Sequence, residues 1–428
     1  MTSKIVDNFN HHDLEIQHLE IQQLEIRHLG IHGDGVALLN EETIFIPYAL
    51  PQEIVNIERD GDKINLLSIL KPSPLRKQPE CDLFMRCGGC VSQHMDAETV
   101  KNWKTQRVIN ALNQAGLKGD ITQYIHAQGE GRRRVTWHVR TIEGVLTAGL
   151  MAPRTHNLVK VDHCPILSAP LQKSAHIAVK IAACLTREKK PLDVQITATQ
   201  TGLDIDIRGY GKIHDNERQA LIKAALALDV ARVCIHGEIV IEHRSPTISM
   251  GRHTIALPPA SFLQVTQAGE DALGDLVCEA LKKSKNIADL FAGCGPFTLR
   301  LAQNARVAAF ETHEPSLKVL EKTIKHTSGI KPVSVQVRDL FRRPLLPHEL
   351  KAFDSIVLDP PRAGASAQVT QIALAKVPRV MMISCDAGTF ARDAALLVEA
   401  GYRLGAITLI DQFIHSQHIE IACLLSYG

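Results

Sequence analysis

A cysteine and a carboxylate late in the chain are the residues whose types and positions most directly suggest chemistry. Cys385 follows an apolar run, Val377–Ile383, that predicts a strand, and Glu420 lies 35 residues further on. Open α/β sheets bind ligands at the carboxyl ends of their strands, so a thiol at that edge can meet a substrate. A thiolate can form a covalent intermediate that divides one hard step into easier ones, and a carboxylate can then remove a proton. The pair therefore suggests covalent catalysis on an unreactive carbon.

Each of these residues also has a structural explanation. A cysteine that ends a buried strand is usually structural, and Glu420 by itself would be a surface carboxylate on an edge strand. Their occurrence in one order with a glycine loop at 289–295 and an Asp-Pro-Pro-Arg turn at 359–362 favours catalysis. A free thiol has a pKa of about 8.5. Arg392 and the N-terminus of the helix after Cys385 are expected to lower that pKa.

The glycine loop predicts a nucleotide-cofactor site between a strand and a helix. Asn286–Leu290 predicts the strand, and the helix is expected from about Thr298. Glycines in such a turn let the backbone approach a nucleoside closely. The next predicted strand ends at Glu311, 22 residues after Asp289, a separation that suits a carboxylate accepting hydrogen bonds from ribose hydroxyls.

The type of cofactor follows less directly from these residues. A lone glycine loop would suit NAD equally well. The spacing to Glu311 and the turn at 359–362 favour a methyl donor, S-adenosylmethionine. Asp339, after the following predicted strand, is expected to contact the edge of the adenine. Cys294, inside the glycine loop, is expected to be a small packed residue rather than a reactant.

Three cysteines cluster after a proline-rich linker, and a fourth lies 74 residues beyond them. They are Cys81, Cys87, Cys90 and Cys164, which precedes a proline. Four thiolates suit a tetrahedral zinc or an iron–sulfur cluster, and the spacing alone does not choose between them. The five-residue gap is wider than in the usual zinc hairpin, and Cys-Pro is a common companion of iron–sulfur ligation. The cysteines in apolar stretches are expected to be core thiols, namely Cys184, Cys234, Cys278 and Cys423.

Composition excludes several classes of protein. The chain has 45% hydrophobic and 22% charged residues and a formal net charge of +2, so any contact with nucleic acid must come from local clusters. No run of about 18 apolar residues predicts a membrane span, and the N-terminus lacks a hydrophobic signal core. We expect a cytoplasmic protein with reduced thiols and without an obligate protein partner.

The chain predicts a multidomain protein. Residues 1–24 contain early copies of a five-residue repeat (Leu14–Gly33) that matches neither the helical nor the strand period, and only the last copy is expected to enter the fold. Residues 25–72 predict a small OB-like β-barrel, and residues 80–260 a central α+β domain that carries the cysteine cluster. Residues 261–428 alternate strands and helices, as in a doubly wound, Rossmann-like α/β domain.

The densest basic run, Gly131–Arg140, includes a tryptophan, Trp137. It allows two interpretations. One is an RNA contact, in which arginines bind phosphates and the tryptophan stacks on a base. The other is the solvated edge of a strand.

Taken together, these motifs resemble the RNA (uracil-5)-methyltransferase family. The resemblance rests on residues 289–297, 358–364, 383–393 and 418–420. The four clustered cysteines, together with residues 29–37 and 44–51 that resemble a TRAM domain, are similar to the branch that acts on 23S ribosomal RNA. Asp386–Gly388 and Pro296 depart from the usual residues of the family.

The resemblance implies a role for each candidate residue. Cys385 would be the nucleophile and Glu420 the base, and S-adenosylmethionine would be the methyl donor. Cofactor contacts would come from Gln264, Phe291, Glu311 and Asp359. A [4Fe-4S] cluster would be held by Cys81, Cys87, Cys90 and Cys164. The partner would be RNA, most plausibly 23S ribosomal RNA.

Uracil chemistry accounts for this choice of residues. C5 of uracil is a poor nucleophile, and a thiolate added to C6 would create an enolate that makes C5 reactive. The target base must leave its stack to reach the thiol. Rival interpretations are a transfer RNA uracil-C5 methyltransferase, an RNA cytosine-C5 methyltransferase, an adenine-N6 methyltransferase and a non-catalytic iron–sulfur RNA-binding factor. A cytosine enzyme usually has a second cysteine beside the Asp-Pro turn, where this chain has Arg362.

Overall fold

The computed structural model describes residues 21–61, 63–185 and 190–428 of the chain. The first copies of the five-residue repeat, up to residue 20, lie outside the described residues. The chain divides into two compact units, one ending at Arg76 and the other running from Lys77 to Gly428. Within the described residues, no helix combines the length and the apolar character needed to cross a membrane.

Short antiparallel strands form the described part of the first unit. They are β1 (Ile21–Glu25), β2 (His28–Leu29), β3 (Gly35–Leu39), β4 (Glu42–Ile46), β5 (Ile54–Asp60) and β6 (Lys63–Lys71). They form two three-stranded sheets, in the orders β1-β5-β6 and β2-β3-β4. Apolar side chains of both sheets, among them Leu24, Ile46 and Ile57, share one buried core. The N-terminal region is therefore β-rich, as expected.

The five-residue repeat enters the fold earlier than its periodicity predicted. β1 begins at Ile21, inside the second copy, and pairs with β5 so that Leu24 lies opposite Val55. Leu24 is buried, and so is Ile26 just beyond the strand. The expectation that only the last copy enters the fold is wrong. A strand this short needs one or two inward-facing side chains, whatever the period of the longer run.

The second unit begins with a cysteine-containing loop, a helix and a strand. The helix is α1 (Ala97–Gln114), and the strand is β7 (Ile121–His126). Asp96 caps α1, because its side chain accepts a hydrogen bond from the N–H of Thr99 at 2.7 Å. The cysteine loop is thereby joined to a helix with a defined start.

A mixed sheet of seven strands follows in the described residues. Its strands are β8 (Arg134–Ile142), β9 (Val145–Met151), β10 (Leu158–Lys160), β11 (Leu192–Thr199), β12 (Gly202–Arg208), β13 (Arg232–Ile235) and β14 (Glu238–Glu242). Their order is β10-β9-β8-β11-β12-β13-β14. A short 3-10 helix (Ala169–Leu171), α2 (Ser174–Ala182) and α3 (Asp215–Ala227) share its core. A hairpin, β15 (Thr247–Met250) and β16 (His253–Ala256), connects this sheet to the C-terminal one.

Strands and helices then alternate to the C-terminus. They are α4 (Gln267–Ala280), β17 (Asn286–Leu290), α5 (Pro296–Leu301), β18 (Arg306–Glu311), α6 (Glu314–Lys325), β19 (Val333–Val337), α7 (Pro347–Leu350), β20 (Ser355–Leu358), α8 (Ser366–Ala375), β21 (Arg379–Ser384), α9 (Ala387–Glu399), β22 (Tyr402–Asp411) and β23 (Glu420–Tyr427). The sheet has the order β19-β18-β17-β20-β21-β23-β22-β7. Its strands are parallel except β23, which is antiparallel to both neighbours. This is the Rossmann-like domain that the alternating pattern predicted.

Both faces of this sheet are covered. Val357 and Leu358 are successive residues of β20, and they lie in two different core clusters. Successive side chains of a strand point to opposite faces, so each face has its own apolar layer. A central parallel strand buried on both faces is accordingly apolar along its length, as β20 and β21 are. Polar residues are left to the strand ends, where the site is found.

The sheet recruits a strand from far away in the sequence. β7 forms its edge, parallel to β22, with Tyr124 opposite Leu409. α1 packs against α9. The expected boundary at residue 260 therefore does not separate two domains, because residues 97–126 belong with the C-terminal sheet. No local pattern announces a pairing between strands that lie more than 280 residues apart.

Candidate active site

Cys385 and Glu420 lie beside each other at one end of the C-terminal sheet. β21 and β23 pair with Ser384 opposite Ile421, so this register brings Cys385, the next residue, next to Glu420. Cys385 is partly exposed, whereas Glu420 is 4% exposed. Asp359 follows β20, the other neighbour of β21. The three side chains therefore lie at the end of the sheet where its parallel strands finish, the carboxyl edge of the sheet.

Acidic residues line this edge. They are Asp289 in β17, Glu311 at the end of β18, Asp359 and Glu420. Burial, with a contribution from Glu311, raises the pKa of Asp289 to about 7. Burial and the charge of Asp289 raise the pKa of Asp359 to about 7, and burial and Asp359 raise that of Glu420 to about 8. Each carboxyl group opposes ionisation of the next, so a positively charged ligand would relieve the repulsion.

The same acidic surroundings act on the thiol. Burial, followed by the charges of Glu420 and Asp359, raises the pKa of Cys385 to about 11. Arg362, in the turn after β20, acts in the opposite direction without overcoming them. In the ligand-free protein the sulfur is therefore a protonated thiol at neutral pH.

Arg392 does not have the role expected from the sequence. Its guanidinium group donates to the carbonyl oxygen of Ala363 at 3.0 Å and pairs with Asp393 at 2.8 Å. The expectation that Arg392 would lower the pKa of Cys385 is wrong, and Arg362 is the cation that acts on the thiol. The dominant carboxylates come from other strands, which the sequence around Cys385 does not reveal.

Gln412 holds two candidate residues together. This fully buried side chain donates from Nε2 to Oε1 of Glu420 at 3.1 Å and to Oε1 of Gln264 at 2.6 Å. Gln264 itself is 8% exposed. The sequence did not single out Gln412. Its position directly after β22, at the end of a strand, was the one sign of a role in the site.

The glycine loop after β17 is held by Glu311. Oε2 of Glu311 accepts the N–H of Gly293 at 3.0 Å, and its Oε1 accepts the N–H of His313 at 2.8 Å. Phe291 adopts a left-handed backbone (φ 63°), a conformation that is rare for a bulky residue and is found at functional sites. Gly295 (φ 87°) could not carry a side chain, because its Cβ would lie 2.5 Å from Leu320. The loop is thus shaped by backbone contacts around a carboxylate.

Asp339 organises the turn that faces this loop. Its Oδ1 accepts the N–H groups of Phe341 at 3.0 Å and Arg342 at 3.2 Å. The ring of Phe341 packs against Phe291 with 5.3 Å between centroids. Asp339 therefore lies next to the glycine loop, but its carboxylate is partly satisfied by its own turn. Cys294 is 3% exposed and packed, as expected of a structural residue.

One buried oxygen at this edge has no partner. Oδ2 of Asp289 accepts a hydrogen bond from the hydroxyl of Thr298 at 2.5 Å. Oδ1 of the same carboxyl is buried and has no hydrogen-bond partner among the described residues. A buried polar atom without a partner is costly, and a ligand that donates a hydrogen bond would satisfy it.

Positive charge gathers around His418, two residues before Glu420. Nη2 of Arg362 donates to Nδ1 of His418 at 2.9 Å, and Arg107 donates to the carbonyl oxygen of Gln417. Burial, followed by Arg362, Arg107 and further cations, lowers the pKa of His418 to about 4. The imidazole is therefore neutral at physiological pH and can accept from Arg362. The formal net charge of +2 implied that any contact with nucleic acid would come from a local cluster of cations, and these side chains form such a cluster.

The basic run 131–140 is not an RNA-stacking surface. Trp137 is 1% exposed, and its Nε1 donates to the hydroxyl of Ser174 at 2.8 Å. Arg133 is buried and pairs with Glu270 at 2.6 Å. The stacking interpretation is wrong, and the solvated-edge interpretation also fails for these side chains. The run forms interior contacts, which charge density in a sequence cannot distinguish from a surface.

The four clustered cysteines line one cavity. Cys81, Cys87, Cys90 and Cys164 all face it, together with apolar side chains such as Leu150 and Ile166. Burial raises the pKa of Cys90 to about 11, with Cys164 and Cys87 adding to the rise. In the part of the chain that the structure describes, no set of three or more His, Cys, Asp or Glu side chains has the arrangement of a ready metal site.

Two features of this cavity suit an anionic metal cluster. Gly88 donates its N–H to the carbonyl oxygen of Met151 at 2.8 Å, and a Cβ at Gly88 would lie 2.9 Å from that oxygen. The loop therefore docks on β9 without room for a side chain. Arg132, whose charge acts on Cys90 and Cys164, has a buried Nε without a hydrogen-bond partner. Sulfur ligands bearing negative charge would compensate that guanidinium.

The remaining cysteines are separate from both sites. Cys234 and Cys423 are buried, as expected of core thiols. Cys184 and Cys278 are partly exposed. The last two pack at the margins of apolar clusters rather than inside them.

Relatives in sequence cover almost the whole chain. An uncharacterized RNA methyltransferase of Brucella suis is 37% identical over 399 residues, which are 93% of this chain and 96% of that protein. One of Caulobacter vibrioides is 38% identical over 400 residues, 92% of this chain and 96% of that protein. The 23S rRNA (uracil(1939)-C(5))-methyltransferase of Pectobacterium atrosepticum is 29% identical over 420 residues, 92% of this chain and 90% of that protein.

A solved structure has a similar fold. It is the tRNA (uracil-54, C5)-methyltransferase of Pyrococcus abyssi in complex with S-adenosyl-L-homocysteine, with a TM-score of 0.72 and 19% identity. The similarity covers 94% of this chain and 99% of that one. Residues 251–427 match the family described as tRNA (uracil-5-)-methyltransferase. The chain belongs to the RNA (uracil-5)-methyltransferase family and is an enzyme of that class.

Proposed function

We propose that this enzyme methylates C5 of a uridine in 23S ribosomal RNA, with S-adenosylmethionine as donor and a covalent adduct between Cys385 and C6 of the base. The observation that carries the proposal is the strand register that brings Cys385 beside Glu420, with Asp359 on the adjacent strand. The Pectobacterium relative supports 23S ribosomal RNA as the substrate, since its name specifies that reaction.

The charge of the site supports S-adenosylmethionine over NAD. Burial raises the pKa of Asp289, Asp359 and Glu420, and a neighbouring carboxyl group adds to the rise in each case, so the edge favours a ligand with positive charge. S-adenosylmethionine carries a sulfonium and an ammonium group, whereas NAD carries a negatively charged pyrophosphate. The unpartnered Oδ1 of Asp289 is suited to a donor such as the ammonium group. Glu311 would hold the ribose, Phe291 and Gln264 would flank the cofactor, and Asp339 would lie near the adenine.

The chain's residues can carry the reaction in a balanced sequence. Sγ of Cys385 gives its proton to solvent water and forms a bond to C6 of uracil, which places the electron pair on C5 and O4. When bound, the cofactor would supply an electrophilic methyl group to C5, with the electron pair of the broken sulfur–methyl bond left on its sulfur. Glu420 then takes the proton from C5, the C5–C6 double bond forms again, and the C6–S bond breaks. Glu420 must be ionised for this step, and Arg362 is placed to favour the thiolate in the first.

The alternatives meet specific obstacles. A cytosine-C5 enzyme would need a second thiol in the turn after β20, where Arg362 stands instead. An adenine-N6 enzyme would need an aromatic residue at that point. A non-catalytic RNA-binding factor would give no role to the pairing of Cys385 and Glu420.

We further propose that the cysteine cavity holds a structural [4Fe-4S] cluster. The four thiols on one cavity, the close docking of Gly88 and the buried Nε of Arg132, which has no hydrogen-bond partner among the described residues, support this assignment. The two small antiparallel sheets of the first unit, from β1 (Ile21–Glu25) to β6 (Lys63–Lys71), would form a TRAM-like RNA-binding barrel. We propose a cytoplasmic location, where ribosomal RNA is the substrate.

Mass mapping of ribosomal RNA tests the proposed function. RNA from a deletion strain should lack one methyl group on one uridine of 23S ribosomal RNA. The wild-type enzyme should restore it, and Cys385→Ala should not. An unchanged 23S ribosomal RNA together with a transfer RNA that has lost a methyluridine would overturn the choice of substrate.

A further inference from the structure

We propose that Gln412 is a positioning residue for the proton-removal step. Its side-chain amide fixes the carboxylate of Glu420 and joins it to Gln264 at the cofactor side of the site. This inference rests on the proposed function, because it gives Glu420 the role of base. It predicts that the loss of Gln412 slows the release of product much more than the transfer of the methyl group.

The hydrogen bonds of Gln412 leave it one orientation. Its Nε2 lies 2.6 Å from Oε1 of Gln264 and 3.1 Å from Oε1 of Glu420. The backbone N–H of Thr266 can only donate, so the amide oxygen rather than the amide nitrogen must face it, and the nitrogen is left toward Glu420 and Gln264. The amide oxygen faces the N–H of Thr266 at 3.4 Å. The reverse orientation would turn the amide nitrogen toward the N–H of Thr266, donor against donor, so this contact assigns the amide.

Packing prevents the side chain from leaving this place. Gln412 is 0% exposed. Gly269, in the first turn of α4, provides the space, since a Cβ there would lie 2.5 Å from Oε1 of Gln412. The preceding residue, Asp411, is anchored by Lys104 at 2.7 Å and by the hydroxyl of Tyr124 at 2.7 Å. The backbone of Gln412 is therefore held independently of its own side chain.

The amide contact matters because burial and the charge of Asp359 oppose the ionisation of Glu420. Cys385, which follows the adjoining strand β21, supplies no positive charge. The amide of Gln412 donates to the carboxylate and so favours the charged form that can accept a proton. Among the described residues, Gln412 is the side chain that donates a hydrogen bond to the carboxylate of Glu420. Without it, Glu420 would be less fixed in direction and protonated up to a higher pH.

Gln412→Met tests this proposal, since methionine keeps the length and apolar packing without the donor. The substrate is 23S ribosomal RNA with tritium at C5 of its uridines, and S-adenosylmethionine carries a radioactive methyl group. Methyl transfer is counted in RNA and in the SDS-resistant protein–RNA adduct, and proton removal is counted as tritium released to water. We expect tritium release to fall at least about tenfold, within the range that a positioned base supplies. Adduct should accumulate, and the pH profile of release should move to higher pH.

Gln368→Met is the matched control. Gln368, in helix α8, is another buried glutamine of the C-terminal domain. Its side-chain amide accepts from the N–H of Leu345 at 2.7 Å and donates to the carbonyl oxygen of the same residue at 3.2 Å. Its loss should lower stability without changing the ratio of methyl transfer to tritium release. An equal fall of both rates in Gln412→Met, or a ratio like that of the control, would overturn the proposal.

A second variant keeps the proposal testable if Gln412→Met does not fold. Gln412→Asn keeps an amide but withdraws it by one methylene, so adduct should again accumulate. Wild-type protein that releases no tritium and forms no methylated RNA would refute the proposed function instead. A wild-type enzyme that turns over, with both variants keeping the wild-type ratio, would refute the role of Gln412 alone.

Discussion

The electrostatic surroundings of Cys385 suit a nucleophile that stays protonated until the cofactor and the substrate bind. Burial and the carboxyl groups of Glu420 and Asp359 favour the protonated thiol, and Arg362 opposes them. A sulfonium cation in the acidic site would shift this balance toward the thiolate. A thiol with a raised pKa reacts slowly with alkylating reagents at neutral pH, because the thiolate is the nucleophile.

Alkylation of Cys385 should be easier in Glu420→Gln. The substitution removes a negative charge that raises the pKa of the thiol, so the pH dependence of iodoacetamide labelling should move to lower pH. Mass spectrometry of the labelled peptides measures this. Cys184 serves as an internal control, because burial is the cause that raises its pKa and Glu420 does not act on it. Labelling of Cys385 that stays unchanged or moves to higher pH would refute the coupling.

Single residues could be predicted from the sequence where chemistry restricts the residue type. Cys385, Glu420 and Asp359 stand in recognisable local motifs at predicted strand ends, and the structure places them at one edge. Gln412 and the action of Arg362 could not be predicted, because both depend on which strands are neighbours. The expectation that Arg392 would lower the pKa of Cys385 was wrong for the same reason.

At the scale of elements, the cysteine loop is hydrogen-bonded to the segment that leads to Glu420. The N–H of Val91, one residue after Cys90, donates to the carbonyl oxygen of His415 at 2.7 Å. His415 lies in the connection between β22 and β23, five residues before Glu420. A metal cluster in the cavity would therefore stabilise a loop that supports the site.

Cys164→Ser should lose bound iron and melt at a lower temperature. The substitution removes one of the four thiols on the cavity, and metal binding free energy contributes to folding. Iron content, the visible absorption of an anaerobically prepared protein and thermal unfolding measure the effect. Cys184→Ser, which removes a half-buried thiol outside the cavity, should keep its iron. Equal iron in both variants would exclude Cys164 as a ligand.

The elements of the C-terminal domain could be predicted better than their partners. The alternating pattern predicted the bounds of β17, β18 and β21 within a few residues, because buried parallel strands are continuous apolar runs. β7 was not predicted, since its pairing with β22 joins distant parts of the chain. β1 was placed too late, because the period of the whole repeat is irrelevant to a strand of five residues.

At the scale of the whole molecule, the acidic site reduces the stability of the ligand-free protein. The folded-state pKa of Asp359 is raised to about 7 by burial and Asp289, above its unfolded value of about 3.9. The contribution of such a group to stability is complete below pH 4 and is lost as the pH rises through 7. A cationic ligand would restore part of that stability.

Asp359→Asn should therefore become more stable relative to wild type as the pH rises from 4 to 7, and the difference should level off above that. The slope cannot exceed about 1.4 kcal/mol per pH unit and should be smaller, because Asp359 is partly exposed. Urea unfolding of the ligand-free proteins measures it. Asp229→Asn should show a difference that is nearly constant from pH 5 to 7, since the hydrogen bond from Arg244 lowers the pKa of Asp229 and the group titrates below that range. A difference for Asp359→Asn that does not vary with pH would contradict the repulsion.

The central claim is that sulfur bonds to the base before carbon receives the methyl group. Glu420→Gln, incubated with 23S ribosomal RNA and S-adenosylmethionine, should accumulate an SDS-resistant protein–RNA adduct. Tandem mass spectrometry of the nuclease- and protease-digested adduct should find a methylated uridine on the peptide that contains Cys385. Full methylation by Cys385→Ala, or an adduct at any other residue, would contradict the account.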